Sequence, residues 1–254
     1  MTHRGNHSQT RVQTLPRGSA TGTKEALSIM MTERTATCSS LSPRPATLNP
    51  ETANQLTHAF GCILSLCGAV LIISSAWATG GTLRLLGCTV YALALVGVYA
   101  ASTLSHSFRD VRRRTFFRML DQICILLLVV GSYTPFALVH ALSGMWWIIL
   151  AVMWSCALVG IWRRIRRPAA SLPIPLFMVM GWMPVFALGT AWQLTGLSGI
   201  GLILGGALAY SGGTWFLAND HRKPYFHAVW HLSAITGSAF HFAFLLHFVA
   251  LAAV

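Results

Sequence analysis

The stretch Phe226–Phe248, FHAVWHLSAITGSAFHFAFLLHF, has the length and apolar content of a membrane-spanning helix, yet it contains four histidines. At 100° per residue, His231 and His241 each lie about 40° from His227, whereas His247 falls on the opposite side of the helix. Side chains four residues apart are neighbours, so His227 and His231 can converge on one metal ion. The pair is equally typical of histidines hydrogen-bonded inside a helix bundle, so the remaining chain must decide between these interpretations.

The composition predicts a polytopic membrane protein. Of the 254 residues, 54% are hydrophobic and 9% are charged, and the mean hydropathy is +0.60. The net charge of +12 does not indicate nucleic acid binding, because the basic residues form short runs between apolar segments rather than one basic face. We expect membrane lipids, through their anionic headgroups, to be the partners of these runs.

Two regions differ sharply in composition. Residues 1–48 are rich in Thr, Ser, Arg and Pro and contain hardly any apolar cluster, which predicts a disordered basic tail. Residues 49–254 form the predicted transmembrane domain. Its apolar segments, each near the roughly 20 residues that a helix needs to cross a bilayer, are 58–78, 84–105, 119–139, 145–162, 173–192, 199–217 and 228–250. The predicted fold is therefore an all-α bundle of seven transmembrane helices.

The distribution of basic residues predicts the orientation of the bundle. Three alternate links, Arg109–Arg118, Arg163–Arg167 and Asn219–Phe226, hold eleven Lys and Arg residues, whereas the other links hold only Arg84. Because Lys and Arg are concentrated in cytoplasmic loops, the N-terminus is predicted to be cytoplasmic. The expected location is the cell membrane.

Polar side chains gather at the predicted cytoplasmic ends of four helices. In chain order they are Glu51, Asn54, Thr57 and His58 on the first, Ser102 and His106 on the second, Asp121 on the third, and His227 and His231 on the seventh. Ionisable groups inside a membrane are costly and usually functional. Their recurrence at one level of four separate helices is stronger evidence for a site than the histidine pair alone.

The three histidines His106, His227 and His231 would give zinc a neutral nitrogen ligand set with a fourth position open, as in catalytic zinc sites. Such an ion would acidify its water and polarise a carbonyl oxygen. Asp121 could then orient that water or take its proton, and Ser102 could stabilise the metal's surroundings or an oxyanion. The same side chains would also suit a buried polar network that only ties the helices together.

Taken together, the motifs resemble those of the bacterial hemolysin III family, which is grouped with the progestin and adipoQ receptors and, more distantly, the alkaline ceramidases. They are Glu51-x-x-Asn54-x-x-Thr57-His58, Ser102-Thr-Leu-Ser-His106, Leu120-Asp121 followed by Gly131-Ser-Tyr-Thr-Pro135, and His227-x-x-x-His231 with His241 beyond it. The resemblance covers about residues 49–250. It implies seven helices, a cytoplasmic N-terminus, and zinc held by the three histidines with Asp121 near the zinc-bound water. Glu51, Asn54, His58 and His241 are expected to line the cavity or surround the ligands.

The resemblance implies two different functions. The wider superfamily indicates a zinc-dependent hydrolase of lipid amide bonds that acts in membrane-lipid homeostasis on a lipid-like substrate, whereas the family name indicates a cytolytic pore. We favour the hydrolase, because a pore needs a polar path across the bilayer and the predicted polar groups stop at one leaflet. A membrane receptor or sensor that uses zinc only as a brace is the alternative from a different class. The substrate and the oligomeric state are left open by the sequence.

Overall fold

The structure is a computed structural model that describes residues 48–140, 146–168 and 174–252. The predicted tail over residues 1–48 lies outside these ranges apart from Leu48, and its disorder remains a prediction. The described chain is helical and contains no strand, which confirms the all-α prediction.

The described ranges contain seven α-helices, labelled here in chain order. They are α1 Pro50–Thr79, α2 Thr82–Ser107, α3 Val111–His140, α4 Trp146–Arg166, α5 Ile174–Trp182, α6 Leu188–Ala218 and α7 Phe226–Leu245. A 3₁₀ turn, Met183–Ala187, joins α5 to α6, and a short 3₁₀ turn, Asp220–Arg222, precedes α7. A π-helical turn, Leu246–Ala250, continues α7.

Six helical runs in the described ranges are long and apolar enough to cross a membrane. They confirm a multi-pass membrane protein. The predicted fifth and sixth segments, 173–192 and 199–217, fall within one 45-residue run, Ile174–Ala218. Inside it, Gly196 has φ 61° and ψ −158°, a non-helical conformation that glycine adopts readily because it lacks a Cβ atom.

Helix α1 begins eight residues before the predicted start at residue 58. The Asn49 side chain accepts a hydrogen bond from the Glu51 backbone N–H at 2.9 Å, and Pro50 occupies the first turn. Both features favour a helix start, and the Glu51 carboxylate suits the positive end of the helix dipole. The motif residues Glu51, Asn54, Thr57 and His58 therefore lie within the first three turns of α1.

Small residues allow the helices that carry the polar motifs to approach closely. A Cβ atom at Gly87 of α2 would lie 2.7 Å from the Pro135 Cα atom of α3, and one at Gly237 of α7 would lie 2.6 Å from the Tyr210 ring of α6. Many large apolar side chains on the outside of the bundle are exposed, including Val70, Trp77, Leu93, Leu197 and Leu208. This surface is the one that would face lipid.

Arg84 connects the ends of two helices. Its guanidinium is buried, with the residue 6% exposed, and it donates hydrogen bonds to the Gly80 backbone oxygen at 3.1 Å and the Ala252 backbone oxygen at 2.8 Å. These oxygens follow the C-terminal ends of α1 and α7, where the helix dipole is negative. Arg84 therefore has a structural partner in each of two helices.

We expect Arg84→Ala to lower the thermal stability of the purified protein, because two carbonyl oxygens would lose a charged donor. The expected cost is about 1–3 kcal/mol. Thermal unfolding followed by circular dichroism tests this expectation, with exposed Arg112→Ala as the matched control. Equal melting temperatures for Arg84→Ala and Arg112→Ala would contradict the assigned role.

Candidate metal centre

Three histidines from two helices meet at one end of the bundle. One potential ligand atom from each of His106 on α2 and His227 and His231 on α7 lies within 4.8 Å of the other two. Their ring centroids are 4.5–5.3 Å apart. We call these three residues the histidine cluster; they are the set that the sequence singled out as metal ligands.

The hydrogen bonds of His231 determine which of its nitrogens is available. His231 is 1% exposed, and its Nδ1 atom lies 3.2 Å from the Asn54 backbone oxygen and 3.0 Å from Thr57 Oγ1. Because a carbonyl oxygen only accepts, Nδ1 is the nitrogen that carries the hydrogen in this network. In the neutral ring, Nε2 then keeps its lone pair for a ligand.

The other two histidines also present Nδ1 to an oxygen. His227 Nδ1 lies 3.1 Å from the carboxylate of Asp220. His106 Nδ1 lies 3.3 Å from Glu51 Oε1, although the angle does not make this contact a hydrogen bond. A carboxylate or carbonyl behind each ring is the usual support of metal-binding histidines, since it fixes the ring orientation. The donor set therefore fits a metal such as zinc.

Asp121 and Ser102 lie beside the histidine cluster. Both line the same cavity as the cluster. Helix α2 places Ser102 one turn before His106, which explains why the i, i+4 spacing brings them to one face. Arg118, one turn before Asp121 on α3, also lines the cavity.

The four remaining residues predicted near the site have different positions. His58 is 4% exposed, lines the cavity and packs against His231 with ring centroids 3.6 Å apart, and neither of its ring nitrogens has a partner among the described residues. His241 also lines the cavity, farther along α7, with Nε2 3.3 Å from the Ile203 backbone oxygen. Glu51 and Asn54 lie behind the cluster instead. Asn54 contributes its backbone oxygen rather than its side chain.

The cavity has a volume of about 850 Å³ and combines a polar end with largely apolar walls. Its lining includes Ile125, Leu128, Phe136, Phe177 and Phe244, which come from α3, α5 and α7. This volume is in the range of pockets that bind small molecules. An apolar chain attached to a polar group would match the two parts of the lining.

Two features of the site were missed by the sequence reasoning. The sequence reasoning did not identify Asp220 as a site residue, because it lies among basic residues in its link. Its position seven residues before His227 was the signal that could have been considered. The expectation that polar groups stop at one leaflet is also incomplete, because hydroxyl groups of Tyr99, Tyr210 and Ser238 meet deeper in the cavity. The tyrosines looked like ordinary packing residues, and only the fold brings them together.

Several known proteins have related sequences. A model of the family described as Haemolysin-III related matches residues 46–242. Hemolysin-3 of Bacillus cereus is 34% identical over 203 residues, which cover 78% of this chain and 91% of that protein. The Hemolysin-3 homolog of Bacillus subtilis (strain 168) is 30% identical over 195 residues, covering 76% and 91%. The monocyte to macrophage differentiation factor of Homo sapiens is 24% identical over 203 residues, covering 75% and 80%. The predicted resemblance is confirmed, and the chain belongs to the Haemolysin-III related family.

Proposed function

We propose that this protein is a zinc-dependent hydrolase of lipid amide bonds, similar to ceramidases, that acts in membrane-lipid homeostasis. The observation that carries the proposal is the convergence of the histidine cluster with Asp121 and Ser102 in the wall of a largely apolar cavity. The names of the relatives state neither a metal nor a reaction, so the support comes from the site itself.

Zinc is the metal that the ligand set favours. Three imidazoles without a thiolate, each supported at Nδ1, are typical of catalytic zinc sites that keep a fourth position for water or substrate. His106, His227 and His231 would hold the ion. When bound there, zinc would supply Lewis acidity, which polarises a carbonyl oxygen and makes water more acidic.

The remaining chemistry is assigned to residues around the cluster. Asp121 would accept the proton of the attacking water, while the Ser102 hydroxyl, which lines the same cavity, would hold the carboxylate in position. Apolar side chains such as Leu128 and Phe136 would bind the lipid chain and exclude bulk water. Arg118, which is exposed at the polar end of the cavity, would face the headgroup of the lipid.

A zinc-braced receptor or sensor is the second candidate. It is favoured by one observation, which is that the buried His231 also contacts α1 through Thr57 and Asn54, so that a bound ion would strengthen contacts among α1, α2 and α7. A lytic role, suggested by the relatives' names, has less support, because the charged residues in the described cavity lining, Arg118, Asp121 and Asp220, lie near the helix ends that carry the histidine cluster.

We further propose seven membrane crossings in the cell membrane with a cytoplasmic N-terminus. The run Ile174–Ala218 would be about 68 Å long as a straight helix, roughly twice the bilayer's hydrocarbon core. Gly196 interrupts it near the middle and would mark the turn between two crossings. Arg84 is buried and paired with backbone oxygens, so it adds little to the charge of the opposite surface.

The orientation predicts the behaviour of reporter fusions. A reporter that is active only in the cytoplasm should be active when fused before α1 and silent when fused after Val254, because seven crossings place the two ends on opposite sides. Activity at both ends would indicate an even number of crossings. The reverse pattern would place the histidine cluster on the outer side.

Asp220→Asn should weaken zinc binding by about 10- to 100-fold, the usual scale for losing the carboxylate behind a ligating histidine. Competition with a zinc chelator measures this affinity. Asp110→Asn is the matched control, since Asp110 is an exposed carboxylate that accepts a hydrogen bond from the Arg113 backbone and asparagine preserves that role. Equal zinc affinities for Asp220→Asn and Asp110→Asn would show that Asp220 does not support the metal site.

The Asp121→Asn variant distinguishes a hydrolase from a receptor or sensor that uses zinc only to brace its helices. The variant keeps the size of the side chain but cannot take a proton, so it should remain folded and zinc-loaded while amide hydrolysis falls by about 10²-fold or more. Release of fatty acid from a long-chain ceramide in detergent provides the measurement. His231→Ala is the comparison variant and should lose zinc, stability and activity together. A zinc-loaded Asp121→Asn protein with full activity would rule out the proposed hydrolysis.

A further inference from the structure

A second polar cluster lies deeper in the same cavity than the histidine cluster. The Ser238 hydroxyl on α7 is 2.8 Å from the Tyr99 hydroxyl on α2 and 2.7 Å from the Tyr210 hydroxyl on α6. All three residues line the cavity, and we call them the hydroxyl trio. Hydroxyls from three helices therefore meet at one point of a wall that is otherwise largely apolar.

The hydroxyl trio has one O–H group that its internal hydrogen bonds do not use. Each hydroxyl carries one hydrogen and can accept two hydrogen bonds. The trio has three hydrogens and two internal hydrogen bonds, so one O–H is left to donate whichever way these bonds point. A tie between helices would need only the two internal bonds. The third hydrogen is available to an acceptor in the cavity.

Tyr133 on α3 supplies an independent sign of a ligand. The residue is 5% exposed and lines the cavity, and its hydroxyl is buried without a hydrogen-bond partner among the described residues. Buried hydroxyls in folded proteins almost always have a partner, because an unpaired one loses its hydrogen bonds to water. A polar atom of a ligand would give this hydroxyl a partner.

The position of the trio defines what kind of ligand would reach it. Ser238 follows His231 by seven residues on α7, which corresponds to about 10 Å along the helix. Apolar side chains including Ile125, Leu128 and Ala234 line the cavity near this path. A distance of about 10 Å equals roughly nine bonds of an extended chain, since an extended polypeptide advances about 3.5 Å for every three bonds.

We propose that the hydroxyl trio is a subsite for an oxygen atom carried within the lipid chain, with the unpaired Tyr133 hydroxyl of the same cavity as an additional contact of the lipid. The preferred ligands would be acyl lipids with a hydroxyl or keto group about nine bonds from the carbonyl carbon that lies at the histidine cluster. As an assignment of substrate class this inference rests on the proposed hydrolase function, whereas the binding preference itself requires no turnover.

Two fatty acids that differ by one oxygen test the subsite directly. The probes are 10-hydroxyoctadecanoic acid and octadecanoic acid, whose carboxylate stands in for the reacting carbonyl. Purified zinc-loaded protein in detergent should bind the hydroxylated acid roughly 3- to 10-fold more tightly, the scale of one or two net hydrogen bonds. Equal affinities, or no binding of either acid, would overturn the proposal.

Variants locate the source of the preference. The triple variant Tyr99→Phe, Tyr210→Phe and Ser238→Ala keeps both rings but removes every hydroxyl of the trio, so the two acids should bind with equal affinity. Tyr91→Phe is the control, because the Tyr91 hydroxyl reaches the Ser238 backbone oxygen at 3.5 Å and Tyr91 is absent from the cavity lining. An unchanged preference in the triple variant would overturn the subsite.

The single variant Tyr133→Phe keeps the proposal testable if the triple variant fails to fold. Without lipid, its melting temperature should equal or exceed that of the unmodified protein, since no protein hydrogen bond is lost, while the preference for the hydroxylated acid falls. A lower melting temperature would show that Tyr133 has a protein partner and would remove it from the subsite. A protein that shows the preference but no amidase activity would retain the subsite and refute the proposed function.

Discussion

The central constraint in this protein is the burial of three imidazole rings against one another at one end of an apolar bundle. Polar nitrogens removed from water need partners, and here each ring presents its Nδ1 atom to an oxygen. Those oxygens come from α1 and from the link before α7, so the positions of these elements depend on the same cluster. The unpaired nitrogens then face a shared space of metal-binding size.

The residues that line the cavity change in chemical character along the bundle. Charged groups, including Arg118, Asp121 and Asp220, remain at the end that holds the histidine cluster, where water can reach them. Farther in, the lining contains hydroxyls that are neutral and can be buried at lower cost. A lipid entering this cavity would meet reactive groups at one end and an apolar wall with few polar contacts at the other.

The sequence predicted the family and the all-α membrane class, and it brought together the residues that the structure places at the cluster. This worked because His227 and His231, like Ser102 and His106, are four residues apart on one helix and therefore share a face. The hydroxyl trio could not be predicted, since Tyr99, Tyr210 and Ser238 belong to three helices whose rotations depend on packing. The contact between Asp220 and His227 could not be predicted either, because it depends on the geometry of the link before α7. The sequence predicted two separate segments here, whereas the structure has the single run Ile174–Ala218 with a non-helical backbone at Gly196. The break itself could not be predicted, because one glycine gives only a weak signal in an apolar sequence.

The central claim is that the histidine cluster is a metal site, and zinc K-edge X-ray absorption of the purified protein tests it most directly. The account predicts one zinc per chain with about three imidazole nitrogens at roughly 2.0–2.1 Å, a light oxygen ligand and no sulfur. The nitrogen signal should be lost in His106→Ala. A protein that binds no stoichiometric zinc, or whose spectrum is unchanged in that variant, would contradict the account.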